Sequence, residues 1–253
     1  MRFASLGSGS RGNATLVEAG RTRLLVDCGY ALREVEHRLG ALGLSTEALD
    51  AILVTHEHAD HVRGVGPVAR RCGIPVWTSA GTARASALGD LPCLQLFASH
   101  AGAFRIGDIE VAPFAVPHDA REPCQFVFAA HGRRLGMLTD AGHITPHIVD
   151  SLCGVDALLL ECNHDGDMLA RGPYPPPLRA RVGGHLGHLS NAQAARLLQR
   201  IDHGRLSHLV AGHLSEKNNH PDLAAAALLA VSVRLAPRLS ILCQDSVSRW
   251  FAL

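Results

Sequence analysis

Residues 51–61 read Ala51-Ile52-Leu53-Val54-Thr55-His56-Glu57-His58-Ala59-Asp60-His61. The first four are a short unbroken apolar run, as expected for a strand buried on both faces. The last six spell HxHxDH. Neutral imidazole and carboxylate are the ligands that zinc and neighbouring divalent cations prefer. Neither a helix core nor a strand core gains from packing so many polar groups together, so an incidental polar loop is the weaker reading. His56 and His58 stand two apart, so in extended chain they project to one side and can grip one ion. Asp60 and His61 follow where a helix is expected to begin near His61 and run to Arg71, and they face a second ion. Two ions about 3.5–4 Å apart form the clamp of many phosphate-ester and amide hydrolases.

Around this stretch the pattern alternates strands with helices. Short apolar runs split by glycine-rich turns predict strands at Arg2–Leu6, Ala14–Glu18 and Thr22–Asp27, followed by a helix over Ala31–Leu42. Further strands are expected at Pro75–Thr78, Cys93–Phe97, Ile109–Val116, Cys124–Ala130, Arg134–Thr139, Ala157–Glu161, Ser207–Ala211 and Leu239–Cys243. Helices are expected at Thr82–Leu88, at Asn191–Ile201 with Ser190 as N-cap, and at Asp222–Arg234. Gly172-Pro173-Tyr174-Pro175-Pro176-Pro177 reads as a stiff ordered insertion, not a domain boundary. Two strand groups interleaved with helices predict a layered α/β architecture in one domain, residues 1–253.

Composition narrows the class. The chain has 253 residues and 47% hydrophobic content, enough for a sizeable core. A formal net charge of +1 excludes a global field that recruits nucleic acid but leaves room for a local basic groove. Lys217 is the sole lysine, so the basic charge is carried by arginine, whose fork suits phosphate. Seven cysteines without a CxxC pair point to free thiols in a reducing compartment. The N-terminus lacks a signal-peptide h-region and no apolar run reaches a membrane span, so a soluble cytoplasmic protein is expected.

Two ions need about eight to ten protein contacts, and HxHxDH supplies only part of them. The remainder should lie at later strand ends. Val116-Pro117-His118-Asp119 offers His118 to the first ion, Leu138-Thr139-Asp140 offers Asp140 as a bridge, and Leu209-Val210-Ala211-Gly212-His213 offers His213 to the second. All three share one grammar, an apolar strand and then a ligand with Gly or Pro close by.

The order HxHxDH, His, Asp, His resembles the metallo-β-lactamase superfamily of dinuclear hydrolases. The chain is most similar to its YycJ (WalJ) branch through Leu6-Gly7-Ser8-Gly9-Ser10-Arg11-Gly12-Asn13, Val26-Asp27-Cys28-Gly29, Leu160-Glu161-Cys162-Asn163-His164-Asp165, Gly187-His188-Leu189-Ser190-Asn191 and Gly212-His213-Leu214-Ser215-Glu216-Lys217-Asn218-Asn219. The resemblance implies an αββα four-layer sandwich of two mixed sheets with metal at one edge. It implies that His56, His58 and His118 hold one divalent ion, that Asp60, His61 and His213 hold the other, and that Asp140 bridges them, with zinc, manganese or iron as the metal. It also implies a DNA exonuclease, a phosphodiesterase that acts on DNA ends.

In that mechanism a hydroxide shared by the two cations attacks phosphorus and Asp60 orients it. His188 is the candidate proton donor to the leaving oxygen, by similarity to a histidine of tRNA 3′-processing nucleases; a mere helix cap is the alternative. The helix start at Ser190 offers free N–H groups to a phosphate. His164 would touch substrate or metal, or donate to Asp140. Asp27 would hold a ligand histidine or simply end its strand. Ser8, Ser10 and Asn13 form either a phosphate cradle or an ordinary turn, and Asn218 and Asn219 are phosphate contacts or turn residues. Two other functions compete: a metal-dependent hydrolase of a thioester, lactam or lactone, and a metal-binding regulatory protein without catalysis.

Overall fold

Apolar alternation along the strands dictates the layers. The structure, a computed structural model, describes residues 1–100 and 102–253. Its first half runs β1 (Arg2–Gly7), β2 (Ala14–Ala19), β3 (Thr22–Val26), α1 (Leu32–Gly40), β4 (Ala51–Leu53), α2 (Ala59–Val62), α3 (Val65–Cys72), β5 (Val76–Ser79), α4 (Ala80–Ala85) and β6 (Leu94–Phe97). The second half runs β7 (Phe104–Ile106), β8 (Ile109–Ala115), β9 (Cys124–Ala130), β10 (Arg133–Leu138), α5 (Pro146–Leu152), β11 (Ala157–Glu161), α6 (Gly166–Arg171), α7 (Pro176–Val182), α8 (Asn191–Arg200), β12 (His208–Gly212), α9 (Pro221–Leu229), β13 (Leu239–Ile241) and β14 (Phe251–Ala252).

Two seven-stranded sheets result, ordered β14-β1-β2-β3-β4-β5-β6 and β13-β12-β11-β10-β9-β8-β7. Each is mixed in the same way. An antiparallel meander (β1–β3, β7–β10) passes into parallel strands (β3–β6, β10–β13) joined through helices.

Parallel strands covered on both faces must be apolar on both. Along β3 and β4, Leu24, Val26, Ala51 and Leu53 point into a core shared with β8–β12. Their neighbours Leu25, Ile52 and Val54 pack under α1 and α3. Along β11, Ala157 and Leu159 enter the shared core, while Leu158 and Leu160 pack under α5, α8 and α9. Fully burying each such leucine contributes about 1.5–3 kcal/mol. The outcome is the expected αββα sandwich of two mixed sheets.

Differences from the sequence expectations are local. The helix expected through Arg71 is two, α2 and α3, with Arg63 and Gly64 between them. Gly64 lies against the Tyr30 carbonyl, where a Cβ would collide. The helix expected at Thr82–Leu88 ends at Ala85, and the one over Asp222–Arg234 stops at Leu229 before a 3-10 turn at Val233–Arg238. The prolines of the stiff insertion lead into α7, with φ preset for a first turn. Strands β7 and β14 and helix α6 carry no clear apolar pattern and were not expected. Among the described residues, no helix is long and apolar enough to cross a membrane.

Candidate metal centre

Parallel strands in both sheets aim their carboxyl ends at one edge, and the polar residues of the chain collect there. Asp27 directly follows β3, the HxHxDH loop follows β4, Asp140 follows β10, and His213 follows β12. The in-register pair Glu161–Gly212 sets the end of β11 beside His213. Three of these residues leave their strands in the left-handed region: Asp27 at φ 58°, Asp140 at φ 52° and His213 at φ 56°. Such backbone costs about 1–3 kcal/mol per residue and persists where the surrounding structure fixes it. Helix α2 is stitched to two loops, with Asn13 N–H donating to the Asp60 carbonyl at 2.8 Å and Cys28 N–H to that of His61 at 2.7 Å. Gly29 is required here, because a Cβ would run into the Asp60 carbonyl.

His56, His58 and His118 converge. Nδ1 of His58 lies 3.1 Å from Nε2 of His56 and 3.2 Å from Nε2 of His118. The far side of each buried ring is already committed. His118 Nδ1 faces the Gly187 carbonyl at 3.0 Å, and a carbonyl only accepts, so Nδ1 carries the hydrogen. Thr55 Oγ1 donates to Asp27 at 2.8 Å, so it accepts from Nδ1 of His56 at 2.9 Å. Both Nε2 atoms are therefore bare lone pairs, turned toward a third ring nitrogen. Burial first, then the neighbouring imidazoles, push the pKa values of His56 and His118 down. They stay neutral, as ligands must.

Asp60, His61 and His213 form a second group. Nε2 of His61 is 3.3 Å from Asp60 Oδ2, and Nε2 of His213 is 3.8 Å from the same oxygen. His61 Nδ1 donates to Asp27 at 2.8 Å, and His213 Nδ1 donates to Glu161 at 2.9 Å. Burial opposes charge on both rings, but Asp140, Asp27 and Asp60 around His61 outweigh it and raise its pKa well above the ordinary value. Asp140, Asp60 and Glu161 raise His213 likewise, to about 10.

Asp140 stands between the groups. Its Oδ2 is buried without a hydrogen-bond partner, 3.4 Å from His61 Nε2. Its Oδ1 is 3.3 Å from His213 Nδ1 and 4.0 Å from His118 Nε2. A buried carboxylate oxygen without a donor is costly, and bare ring nitrogens facing one another are equally unsatisfied. Divalent cations held by these two clusters answer both conditions, so the donor set fits the group that the fold implies.

A cleft of about 340 Å³ opens on these residues. His58, Asp60, Asp140 and His213 line it together with Tyr174, Leu178, Arg181 and Val182, which lie on and just before α7. His188 also lines it, and its Nδ1 donates to Glu161 at 2.9 Å. Asp119 lies 3.4 Å from His118 Nε2 and pairs with Arg181.

Other expected residues fall elsewhere. Ser8 Oγ accepts from the His213 backbone N–H at 2.8 Å, so it props the backbone of that candidate ligand. Ser10 lines the cleft. Asn13 Nδ2 sits 3.2 Å from both Asp60 Oδ2 and His61 Nε2. His164 makes no hydrogen bond to Asp140; its Nδ1 lies 3.4 Å from Asn163 Oδ1, and Asn163, not His164, reaches the cleft. Asn219 donates to Cys162 O and pairs with the Asn191 amide; Asn218 donates from Nδ2 to Ser215 while its Oδ1 is buried without a partner among the described residues, and neither lines the cleft. At the start of α8, Ser190 and Gln193 close two N–H groups with a reciprocal capping box, and Asn191 N–H donates to the His164 carbonyl.

Glu161 was not foreseen. Fully buried, it takes both His188 and His213 on Oε1, and the Leu189 and Ala141 N–H groups on Oε2 at 2.9 and 3.2 Å. Burial raises its pKa, but the two imidazoles overcome this and hold it at about 2. The available signal was a lone acid closing the otherwise apolar strand Ala157–Leu160. Thr55, Asp119 and Arg181 carried no signal at all.

A model of the family described as "Beta-lactamase superfamily domain" matches residues 22–210. The chain belongs to the metallo-β-lactamase superfamily. Within it, the chain falls in the YycJ/WalJ branch. It is 35% identical to the exodeoxyribonuclease YycJ of Bacillus anthracis over 91% of this chain and 89% of that protein. It is also 35% identical to the exodeoxyribonuclease WalJ of Streptococcus pneumoniae, over 88% of this chain and 85% of that one. Among solved structures, the metallo-β-lactamase fold protein YhfI of Bacillus subtilis superposes with a TM-score of 0.76, at 19% identity and covering 98% of each chain. That superposition supports the fold alone.

Proposed function

We propose that this superfamily member is a dinuclear metal-dependent phosphodiesterase that removes nucleotides from DNA ends, as the names of its YycJ and WalJ relatives describe for those proteins. The observation that carries the reading is the orphaned Asp140 oxygen between two clusters of outward-turned ring nitrogens. His56, His58 and His118 would hold one divalent ion, Asp60, His61 and His213 the other, and Asp140 both; zinc, manganese and iron all suit imidazole with carboxylate. Such ions supply a water acidified toward neutral pH and a counter-charge for phosphoryl oxygens.

The chain's own groups do the rest. Asp27, Thr55, Glu161 and the Gly187 carbonyl fix the tautomers and tilts of the ligand rings. Asp60, on the cleft wall and near Asn13, orients the attacking oxygen. His188 donates a proton from Nε2 to the leaving oxygen, because Nδ1 is tied to Glu161 and Nε2 has no partner among the described residues. Arg181 brings a guanidinium to the same cleft, which favours an anionic substrate over a lactam or thioester.

The core shared by both sheets supports residues 1–253 acting as one domain, and cysteines that are all free fit a reducing cytoplasm. The test is cleavage of end-labelled single- and double-stranded DNA and RNA by the purified protein with zinc, manganese, iron or magnesium added singly. Stepwise loss of nucleotides from one end is expected. Hydrolysis of a chromogenic lactam or thioester with every oligonucleotide intact would overturn the reading.

A further inference from the structure

The chain has two tyrosines, and they are used in opposite ways. Tyr30 is buried, donates from its hydroxyl to Gly12 O at 2.7 Å and carries Arg38 over its ring at 4.2 Å. Tyr174 is half-buried in the cleft wall. Among the described residues it makes no hydrogen bond, ring stack or cation–π contact. It is an aromatic face without a partner among the described residues, in the cleft that His58, Asp60 and His213 also line.

The wall around it is built to stay put. Leu178 and Val182 extend the same four-residue spacing along α7 and line the cleft with it. Pro175, the N-cap, and Pro176 and Pro177, the first residues of that helix, stiffen the chain next to Tyr174, which lowers the entropy lost in holding the ring. Arg181 spends Nε on Asp119, which in turn reaches His118, while its two terminal nitrogens make no hydrogen bond among the described residues. Apolar side chains, a free aromatic face and an unspent guanidinium therefore share one cleft with the proposed phosphodiester site. A nucleotide presents the matching chemistry, a flat base on one side and phosphates on the other. A cleft of about 340 Å³ lies at the small end of ligand-pocket sizes and suits one nucleotide, not a duplex.

We propose that Tyr174 is the stacking platform for the base of the terminal nucleotide, whose phosphodiester lies against the metal centre opposite. This rests on the nuclease reading and deepens it. It makes the enzyme a reader of strand ends that is indifferent to sequence, since every base has a π-face.

The test is a cycle across protein and substrate. Two single-stranded oligonucleotides are compared, identical except that one ends in an abasic nucleotide; both polarities are made. Wild type, Tyr174→Phe and Tyr174→Ala are assayed with the metal that supports cleavage. Base–aromatic stacking predicts about a tenfold rise in KM for wild type on the abasic end, with a smaller change in kcat. Tyr174→Ala should show the same rise on the normal end and no further rise on the abasic one. Tyr174→Phe should behave as wild type. If Tyr174→Ala and base removal raise KM independently, so that the two factors multiply, or if neither raises it, the platform is refuted while the nuclease reading stands. If wild type cleaves neither oligonucleotide with any metal, the nuclease reading falls and the platform with it. Unchanged melting of Tyr174→Ala separates a binding defect from a folding one.

Discussion

Replacing Glu161 with glutamine removes one charge and almost no volume, yet it should be one of the most damaging conservative changes in the chain. The carboxylate accepts from His188 and His213 on one oxygen and from the Leu189 and Ala141 N–H groups on the other. A glutamine has one accepting atom and one donating atom. If its NH2 faces the backbone, two buried N–H groups lose their acceptor, at about 1–3 kcal/mol each. If its NH2 faces the rings, His213 must turn its lone pair to Nδ1, and the hydrogen then sits on Nε2, the nitrogen aimed at the second cluster. The first route costs roughly 2–6 kcal/mol, and about 3 kcal/mol would lower Tm by about 6–12 °C in a chain of this length. The second costs about 10–100-fold in metal affinity at the site of Asp60, His61 and His213. Calorimetric melting of the chelator-treated protein, together with competition titration against a chromophoric chelator, distinguishes the routes. Acid sensitivity adds a third readout. Glu161 is held at about 2 against an ordinary 4.5, so its stabilisation is present above 4.5 and is lost as pH falls toward 2. The glutamine variant should have a flatter stability curve in that window. A variant with wild-type melting, wild-type affinity at both sites and the same acid profile would refute the role assigned to Glu161.

Four further outcomes are expected. His61 and His213 have raised pKa values, His213 to about 10, so the metal-free protein carries both as cations near neutral pH; zinc binding followed calorimetrically in two buffers of different ionisation enthalpy should release about two protons, and release of none would contradict this. The same cations stabilise the metal-free fold fully below 6.5, and that contribution is lost as pH rises through 10, so its melting temperature should fall on the alkaline side unless metal is restored. His188→Ala should slow DNA cleavage about 100-fold or more but cleavage of a bis-aryl phosphate far less, because that leaving group needs no proton; equal losses would remove His188 as the acid. Asp60→Ala should abolish turnover, with far-UV circular dichroism unchanged, and retained activity would displace Asp60 from the centre.

Much of this candidate centre was legible in the chain because its candidate ligands obey a strand-end grammar. HxHxDH, Pro117-His118, Thr139-Asp140 and Gly212-His213 each close an apolar run, and the structure brings all four to one edge. What was not legible is whatever depends on partners distant in sequence. Thr55 is an ordinary residue until Asp27 and His56 meet on its hydroxyl. Glu161 gains its meaning only from the register that sets it beside Gly212. Asn218 and Asn219 look like ligand contacts in a polar loop, yet burial commits them to Ser215, Cys162 and Asn191. Strand β14 has two residues and pairs only with the first strand of the chain, a contact that no local pattern encodes.

The symmetry of the two halves explains why the ligand set is split as it is. Each half lays down a meander and then parallel strands, and each directs the carboxyl ends of those strands to the same edge. The first half supplies His56, His58, Asp60 and His61 from one loop; the second supplies His118, Asp140 and His213 from three. Neither of the two clusters is complete within the first half, because one needs His118 and the other His213 from the second. Asp27 and Glu161 play matching parts, one acid per half, each taking the Nδ1 hydrogen of a histidine in the second cluster. The centre therefore exists only once the two sheets have closed on their shared apolar core. Metal affinity and the packing of Leu24, Leu53, Phe126 and Leu159 are then thermodynamically linked. The left-handed residues Asp27, Asp140 and His213 stand at these same strand ends: Asp27 holds Thr55 and His61 of its own half, while Asp140 and His213 approach His61 and Asp60 from the other.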